Sequence, residues 1–572
     1  MIDLRIKRAL LWFSLPLLFP MAVAAQQAAP QTKDDAISGR VITDSGQPLP
    51  GVTVSLLTIG SRGAGVTTTD NEGRFKLPGL DGGIYRIVLR APGYVTQIPD
   101  VASPAFRPGD NAELTLIKGG VIAGNIINFA GEPVVNIPVH AYQVRDADGN
   151  KVARQFAQTR VTDDRGYYRL YGLSPGTYTV AAGGQGAYPP LVNPYANDAM
   201  TYAPASTRDT AAEIVVRSNQ EVTADIRYRG EPGHAVSGKV SGSMPPFPFN
   251  PGVRLSDVES RFVVTVAVNS PDRTFQFNGV TDGDYEIDAI AGGSSGQQTD
   301  LLASAPRRIT VKGADVTGLD LTLATTGAID SRATFETDQK LNCGRRRDTA
   351  LRETLITLRR GRPEDKSGAA KDKPAEVSDT LFPSASESIP NDKGEVHFRS
   401  LPPGNYRFEV RLPAAGWYLK DLTLGRPEPN IARNGISIKR GEKISGVTIT
   451  IAEGGASLRG RVTFTAGQMP SANLRLYLAP AEREHSDNPL HFFEAPVTGD
   501  GTFAVGNIAP GRYFLVSEAA EPAGPDSFKT TRTDAGWRAK ILRDATALNK
   551  DITFKPCERT ADYEFAYSST KP

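Results

Sequence analysis

Few residues of this chain could do chemistry, and the sharpest arrangement is His491-Phe492-Phe493-Glu494. A histidine and a glutamate three residues apart have the H-x-x-E spacing of a zinc hydrolase. Such a centre needs a third protein ligand and an open position that holds the reactive water. His485 precedes this pair, and no histidine follows it. The remaining histidines, His140, His234 and His397, stand singly in strand-like or loop sequence. There is no serine elbow, no phosphate loop and no dinucleotide fingerprint. Asp146-Ala147-Asp148-Gly149 and Asp163-Asp164-Arg165-Gly166 are acidic, but neither offers the six or more oxygens of a calcium loop, and both read as hairpin turns. The expectation is a protein with no catalytic residues, no bound metal and no cofactor.

The elements that carry these residues are legible from a repeat. Five segments place a tyrosine twelve residues after a hairpin position: Gly73 to Tyr85, Gly166 to Tyr178, Arg273 to Tyr285, Gly394 to Tyr406 and Gly501 to Tyr513. Each tyrosine is preceded two residues earlier by a glycine (Gly83, Gly176, Gly283, Gly404, Gly511), and the whole chain has only 18 tyrosines. Self-similarity of this kind marks a tandem array of one structural unit. Within the first unit, Val52, Val54 and Leu56 alternate onto one strand face, and Asp70-Asn71-Glu72-Gly73 reads as a tight turn. Short alternating strands between glycine- and proline-rich turns predict an all-β antiparallel sandwich of about seven strands. Phe75, Tyr168, Phe275, Val396 and Phe503 recur just after the hairpins and should fill five separate cores. The repeated tyrosines should bury their rings and satisfy their hydroxyls at a sheet edge. No segment stands out as a helix.

The stretch Gly39–Val54, followed by Thr69–Tyr94, resembles the carboxypeptidase regulatory-like domain, a transthyretin- or prealbumin-like β-sandwich. The resemblance covers 37–117 and continues through Ile122–Tyr142 and Thr162–Val180. Later units diverge: Arg273 replaces the turn glycine in the third, and Ser331 stands where the fourth should open with glycine. The expected modules are 37–117, 118–229, 230–324, 325–452 and 453–556, with a tail at 557–572. The family name denotes a position in metallocarboxypeptidases rather than an activity of the module. The zinc enzymes of that name take a third ligand, a histidine, well downstream, which this chain lacks after His491. With almost no linkers, the array is expected to form a semi-rigid rod approaching roughly 200 Å.

Composition sets the remaining bounds. Arg5, Lys7 and Arg8, an apolar run from Ala9 to Phe19 and small residues up to Ala25 read as a secretory signal cleaved near Ala25. Beyond it the charges balance, 62 basic against 62 acidic, once Asp3, Arg5, Lys7 and Arg8 are removed from totals of 65 and 63. A balanced chain carries no electrostatic case for nucleic acid, and no stretch suits a membrane span. The expected location is therefore exported, periplasmic or extracellular. Cys343 and Cys557 lie 214 positions apart and either form one disulfide or remain two thiols. Residues 361–379 read as a disordered insertion. A proline-rich loop, 187–204, carries Tyr188, Tyr195 and Tyr202, which either pin the loop to its module or offer a surface for a sugar or protein partner. The reading is an exported, non-enzymatic scaffold or adhesin-like binding protein of the cell envelope, with an envelope protein or polysaccharide as partner. Its alternatives are a carbohydrate-binding protein using the loop aromatics and an accessory of an outer-membrane uptake system.

Overall fold

The computed structural model describes residues 35–59, 62–96, 104–184, 193–243, 251–259, 263–269, 271–292, 301–341, 343, 349–361, 385–425, 431–464, 473–519 and 534–567. The expected signal at 1–25, and the insertion 361–379 from residue 362 onward, lie outside them.

The first module shows the wiring. Its strands are β1 (Ile37–Thr43), β2 (Thr53–Thr58), β3 (Gly63–Thr68), β4 (Arg74–Leu77), β5 (Tyr85–Arg90), β6 (Tyr94–Thr96), β7 (Ala105–Phe106) and β8 (Asn111–Lys118). Two four-stranded sheets, β4-β1-β8-β6 and β3-β2-β5-β7, face each other. All pairs are antiparallel except β1 with β8, where Val41 lies beside Leu114 in parallel register. The alternation read from sequence buries Val52, Val54 and Leu56 against Ile37, Val41, Phe75 and Leu116. The turn into β4 closes on Asp70, whose Oδ1 accepts the backbone N–H of Glu72 (3.0 Å) and of Arg74 (2.7 Å). Gly73 there has φ +71°, and a Cβ on it would sit 2.5 Å from the Val41 carbonyl oxygen.

Four more modules repeat this plan. Their opening strands, Gly120–Ile127, His234–Gly242, Gly327–Glu336 and Ala456–Thr463, each pair antiparallel with the strand after the hairpin turn. Each also pairs in parallel with its own module's closing strand. In the third module Leu302–Ala303 pairs with strands of both sheets and joins them into one eight-stranded sheet. Phe75, Tyr168, Phe275, Val396 and Phe503 fall in five distinct cores, one per module.

Three expectations need correction. Residues 557–572 are not simply a tail, because Arg559–Ala566 pairs in parallel with Ala456–Thr463 and closes the fifth module. Second, a helix, α1 (Ala535–Leu548), packs on that module. Asp534 caps it by accepting the Trp537 N–H at 2.7 Å, and Trp537, Ile541 and Ala545 recur at four-residue steps against Tyr477, Phe492 and Val516. The stripe is narrow and is interrupted by Arg538, which hides its period in the sequence. Third, the array is not a rod: the first module touches the fourth, through residues about three hundred positions apart.

Candidate functional site

The repeated tyrosines do the same structural work five times. Each hydroxyl donates to the backbone carbonyl four residues back: Tyr85 to Asp81 (2.8 Å), Tyr178 to Ser174 (2.6 Å), Tyr285 to Thr281 (2.9 Å), Tyr406 to Pro402 (2.6 Å) and Tyr513 to Ala509 (2.9 Å). All five rings are buried. Burial pushes the Tyr178, Tyr285 and Tyr513 hydroxyls well above the usual phenol range, so they remain donors.

The residues that suggested catalysis do not converge. His491 ends a short 3₁₀ turn (Pro489–His491), whereas Glu494 lies on the following strand with its carboxylate 3.5 Å from Arg475. The His491 ring instead stacks on His485, centroids 3.7 Å apart and planes 6° apart, with Nδ1 3.3 Å from the Tyr513 hydroxyl. Parallel imidazoles direct their nitrogens along parallel planes and cannot share one tetrahedral metal. Burial, then the neighbouring His485, lowers the His491 pKa to about 4. His140 is wholly buried with Nδ1 2.8 Å from Thr159 Oγ1, and burial lowers it to about 4 as well. His397 pairs with Asp330 at 2.7 Å and His234 with Asp282 at 3.2 Å.

The acidic turns are consumed by their own backbone. Asp146 Oδ1 accepts from Asp148 and Asn150, and Asp163 Oδ1 from Arg165 and Tyr167, all at 2.8–3.0 Å. Among the described residues no group of three His, Cys, Asp or Glu could hold a metal ion.

The tyrosine loop separates into parts. Tyr188 lies outside the described residues. Tyr195 is half-buried against the second module's core, meets Tyr228 edge-on at 5.7 Å and donates to the Val135 carbonyl at 2.9 Å. Tyr202 is 4% exposed, on a short strand beside Ala181 and Ala182. There it packs with Tyr142 and Ala181, and Val264 of the third module closes the cluster. Neither described ring is a free stacking platform.

What the geometry does build is a set of module junctions. Arg208 of the second module pairs with Asp257 of the third and reaches Glu259 at 3.3 Å. Arg440 of the fourth donates to the third module's Ala303 and Thr322 carbonyls at 2.9 and 3.0 Å. Between the fourth and fifth, Cys343 and Cys557 form a disulfide with Cα atoms 4.8 Å apart. Beside it Asn507 donates to the Ala414 and Trp417 carbonyls, both at 2.7 Å. Trp417 meets Phe335 edge-on at 4.9 Å, and Trp537 meets Tyr477 at 5.2 Å, so both indoles are packed. Apart from the two cysteines, sequence reading missed the junction residues because each is an ordinary polar side chain whose partner lies in another module. Among the described residues no helix is long and apolar enough to cross a membrane.

Fold and junctions together define a tandem array of transthyretin-like β-sandwiches. The family model of the carboxypeptidase regulatory-like domain matches residues 36–116, the span of the first module. The serine-aspartate repeat-containing protein F of Staphylococcus epidermidis is 23% identical over 169 residues, which cover 26% of this chain. This chain thus spans 10% of that relative. Among solved structures, a minor pilin of Streptococcus agalactiae aligns at 14% identity over 34% of this chain and 95% of its own, with TM-score 0.19. The major pilin subunit of Bacillus cereus aligns at 13% over 50% of this chain and 99% of its own, with TM-score 0.14. The Bacillus anthracis TIE protein aligns at 11% over 86% and 71%, with TM-score 0.15. Scores this low carry no argument about what this chain does.

Proposed function

We propose that this chain is an exported, non-enzymatic scaffold or adhesin-like protein of the cell envelope, whose module faces bind other macromolecules. One observation carries the reading: the residues that could do chemistry are taken up in building modules. Five tyrosine hydroxyls close sheet corners, the acidic turns accept their own backbone N–H groups, and His491 stacks on His485. What remains available is a repeated surface, and tandem sandwiches present such surfaces along an array. The similarity to a serine-aspartate repeat-containing protein is in keeping with a multi-module protein, although it covers a small part of that relative.

The test joins location to binding. The tagged chain, expressed with its N-terminal segment, should be recovered from the envelope or the medium with residues 1–25 removed. The purified chain should bind at least one member of a panel of immobilised envelope proteins and polysaccharides, and a Tyr195→Ala/Tyr202→Ala variant that stays folded should bind equally well. Retention of the chain in the cytoplasm would overturn the reading. Loss of polysaccharide binding in the variant would transfer the assignment to sugar recognition by the tyrosine loop.

A further inference from the structure

Four of the modules close a circuit of contacts. The first joins the second through the chain at Gly119, whose N–H donates to Gly93 at 2.9 Å. The second joins the third through Arg208, the third joins the fourth through Arg440, and the fourth returns to the first. This last junction differs from the others because no chain passes directly between its two sides. Its centre is apolar: Ile59, Ile84 and Ala105 from the first module meet Leu355 and Ile389 from the fourth. Its rim is ionic. Arg86 pairs with Glu387, and Arg107 donates to the carbonyls of Glu353 (3.1 Å) and Leu412 (2.6 Å). Gly82 lies so close to Thr349 that a Cβ on it would strike the threonine side chain.

We propose that this junction is a reversible clasp that switches the array between a closed four-module circuit and an open chain. Five apolar residues and two arginines make a modest interface, and interfaces of that kind between domains of one chain leave relative motion as the default. The ion pair at its rim is screened by salt, so ionic strength weakens it without touching the module cores. The fourth and fifth modules, by contrast, are joined through a disulfide and cannot separate the same way. Release exposes more of the first module's short strand β7 and of the fourth module's strand Ala385–Ser388, each of which ends its sheet. Closure covers Ala105 and part of Phe106 and Ser386–Ser388, so the clasp governs how far these edges are offered.

Small-angle scattering of the full chain lacking residues 1–25 tests this in 0.15 M salt. The unaltered chain should be compact. Glu387→Arg and Arg107→Ala should each lengthen its largest dimension by at least one module, roughly 35–40 Å. The charge swap Arg86→Glu/Glu387→Arg should restore compactness, and Arg86→Glu alone should open the chain from the other side. Hydrogen exchange should rise in β5 and β7 of the opened variants while the module cores stay protected, which separates opening from misfolding. A chain fully extended without any substitution, or variants as compact as the parent, would overturn the clasp. A swap that stays extended would overturn the role of the Arg86–Glu387 pair.

Discussion

Arg273 is held in a conformation that its four counterparts leave to glycine. At the hairpin turn, Gly73, Gly166, Gly394 and Gly501 have φ of +71, +74, +76 and +85°, and Arg273 has +59°. Its backbone is committed: its N–H donates to the Asn269 carbonyl and its carbonyl accepts from Val240, both at 2.9 Å. Its side chain is exposed, so replacing it removes little packing. A left-handed residue with a Cβ carries about 1–2 kcal/mol of strain. Glycine at the same place loses roughly 0.5–1 kcal/mol more entropy on folding. The balance favours Arg273→Gly by about 0.5–1 kcal/mol, which for a domain of this size raises Tm by roughly 2–8 °C. Scanning calorimetry of the full chain, with hydrogen exchange on peptides from 234–242 and 274–280, assigns the change to the third module. Asn tolerates this region and should fall between Gly and Arg, whereas the β-branched Arg273→Val should destabilise. A variant series in which Val is as stable as Gly would refute the strain argument, as would a lower transition in Arg273→Gly.

Four further outcomes follow from the same geometry. Tyr178→Phe removes the donor to the Ser174 carbonyl and should cost about 1 kcal/mol, read as faster exchange confined to the second module. His140 is lowered to about 4 by burial, against an unfolded value near 6.5, so the folded state binds fewer protons between those limits. Stability is therefore complete above pH 6.5 and falls on acidification, by about 2 kcal/mol at pH 5; urea midpoints at pH 7 and pH 5 should show it, and His140→Gln should flatten the difference. His491 is lowered in the same direction, so acid should also loosen the 482–491 segment, seen as exchange there. Reducing Cys343–Cys557, or Cys343→Ser, releases a loop spanning 214 positions. The chain-entropy argument sets its worth at up to about 5 kcal/mol, and the transitions of the fourth and fifth modules should move down while those of the first three stay.

What the sequence made legible was whatever lies close along the chain. The glycine-to-tyrosine spacing marks a hairpin and a corner, and both are closed by bonds spanning four residues or fewer, such as Asp163 to Tyr167 and Tyr513 to Ala509. Period-two alternation was readable for the same reason: Val52, Val54 and Leu56 need only a local rule to share a face. The parts that stayed hidden depend on distance in sequence. The clasp joins Arg86 to Glu387, and neither partner carries a signal that names the other; the two cysteines could name only each other, yet 214 positions of chain left open whether they meet. Arg559–Ala566 does alternate, with Phe565 buried, but it follows a cysteine in a connector, so it did not read as a closing strand.

The same contrast bears on the proposed reading of the chain as one that acts through its module surfaces. A catalytic centre would leave strongly shifted groups converging on a cleft. Here the large shifts among the described residues belong to tyrosines of the corners and cores and to His140 and His491, where burial is the first cause, and to Asp500, lowered first by its hydrogen bond from Thr498 in a turn. Even the fully buried guanidinium of Arg538 has a structural employment, since it pairs with Asp487, which also meets Arg433 of the fourth module at 3.1 Å. Polar side chains that could have been reagents are thus spent on corners, turns and junctions. Selection acting on such a chain would keep the relative placement of its modules, and Glu387→Arg is the substitution that would disturb that placement while leaving every core intact.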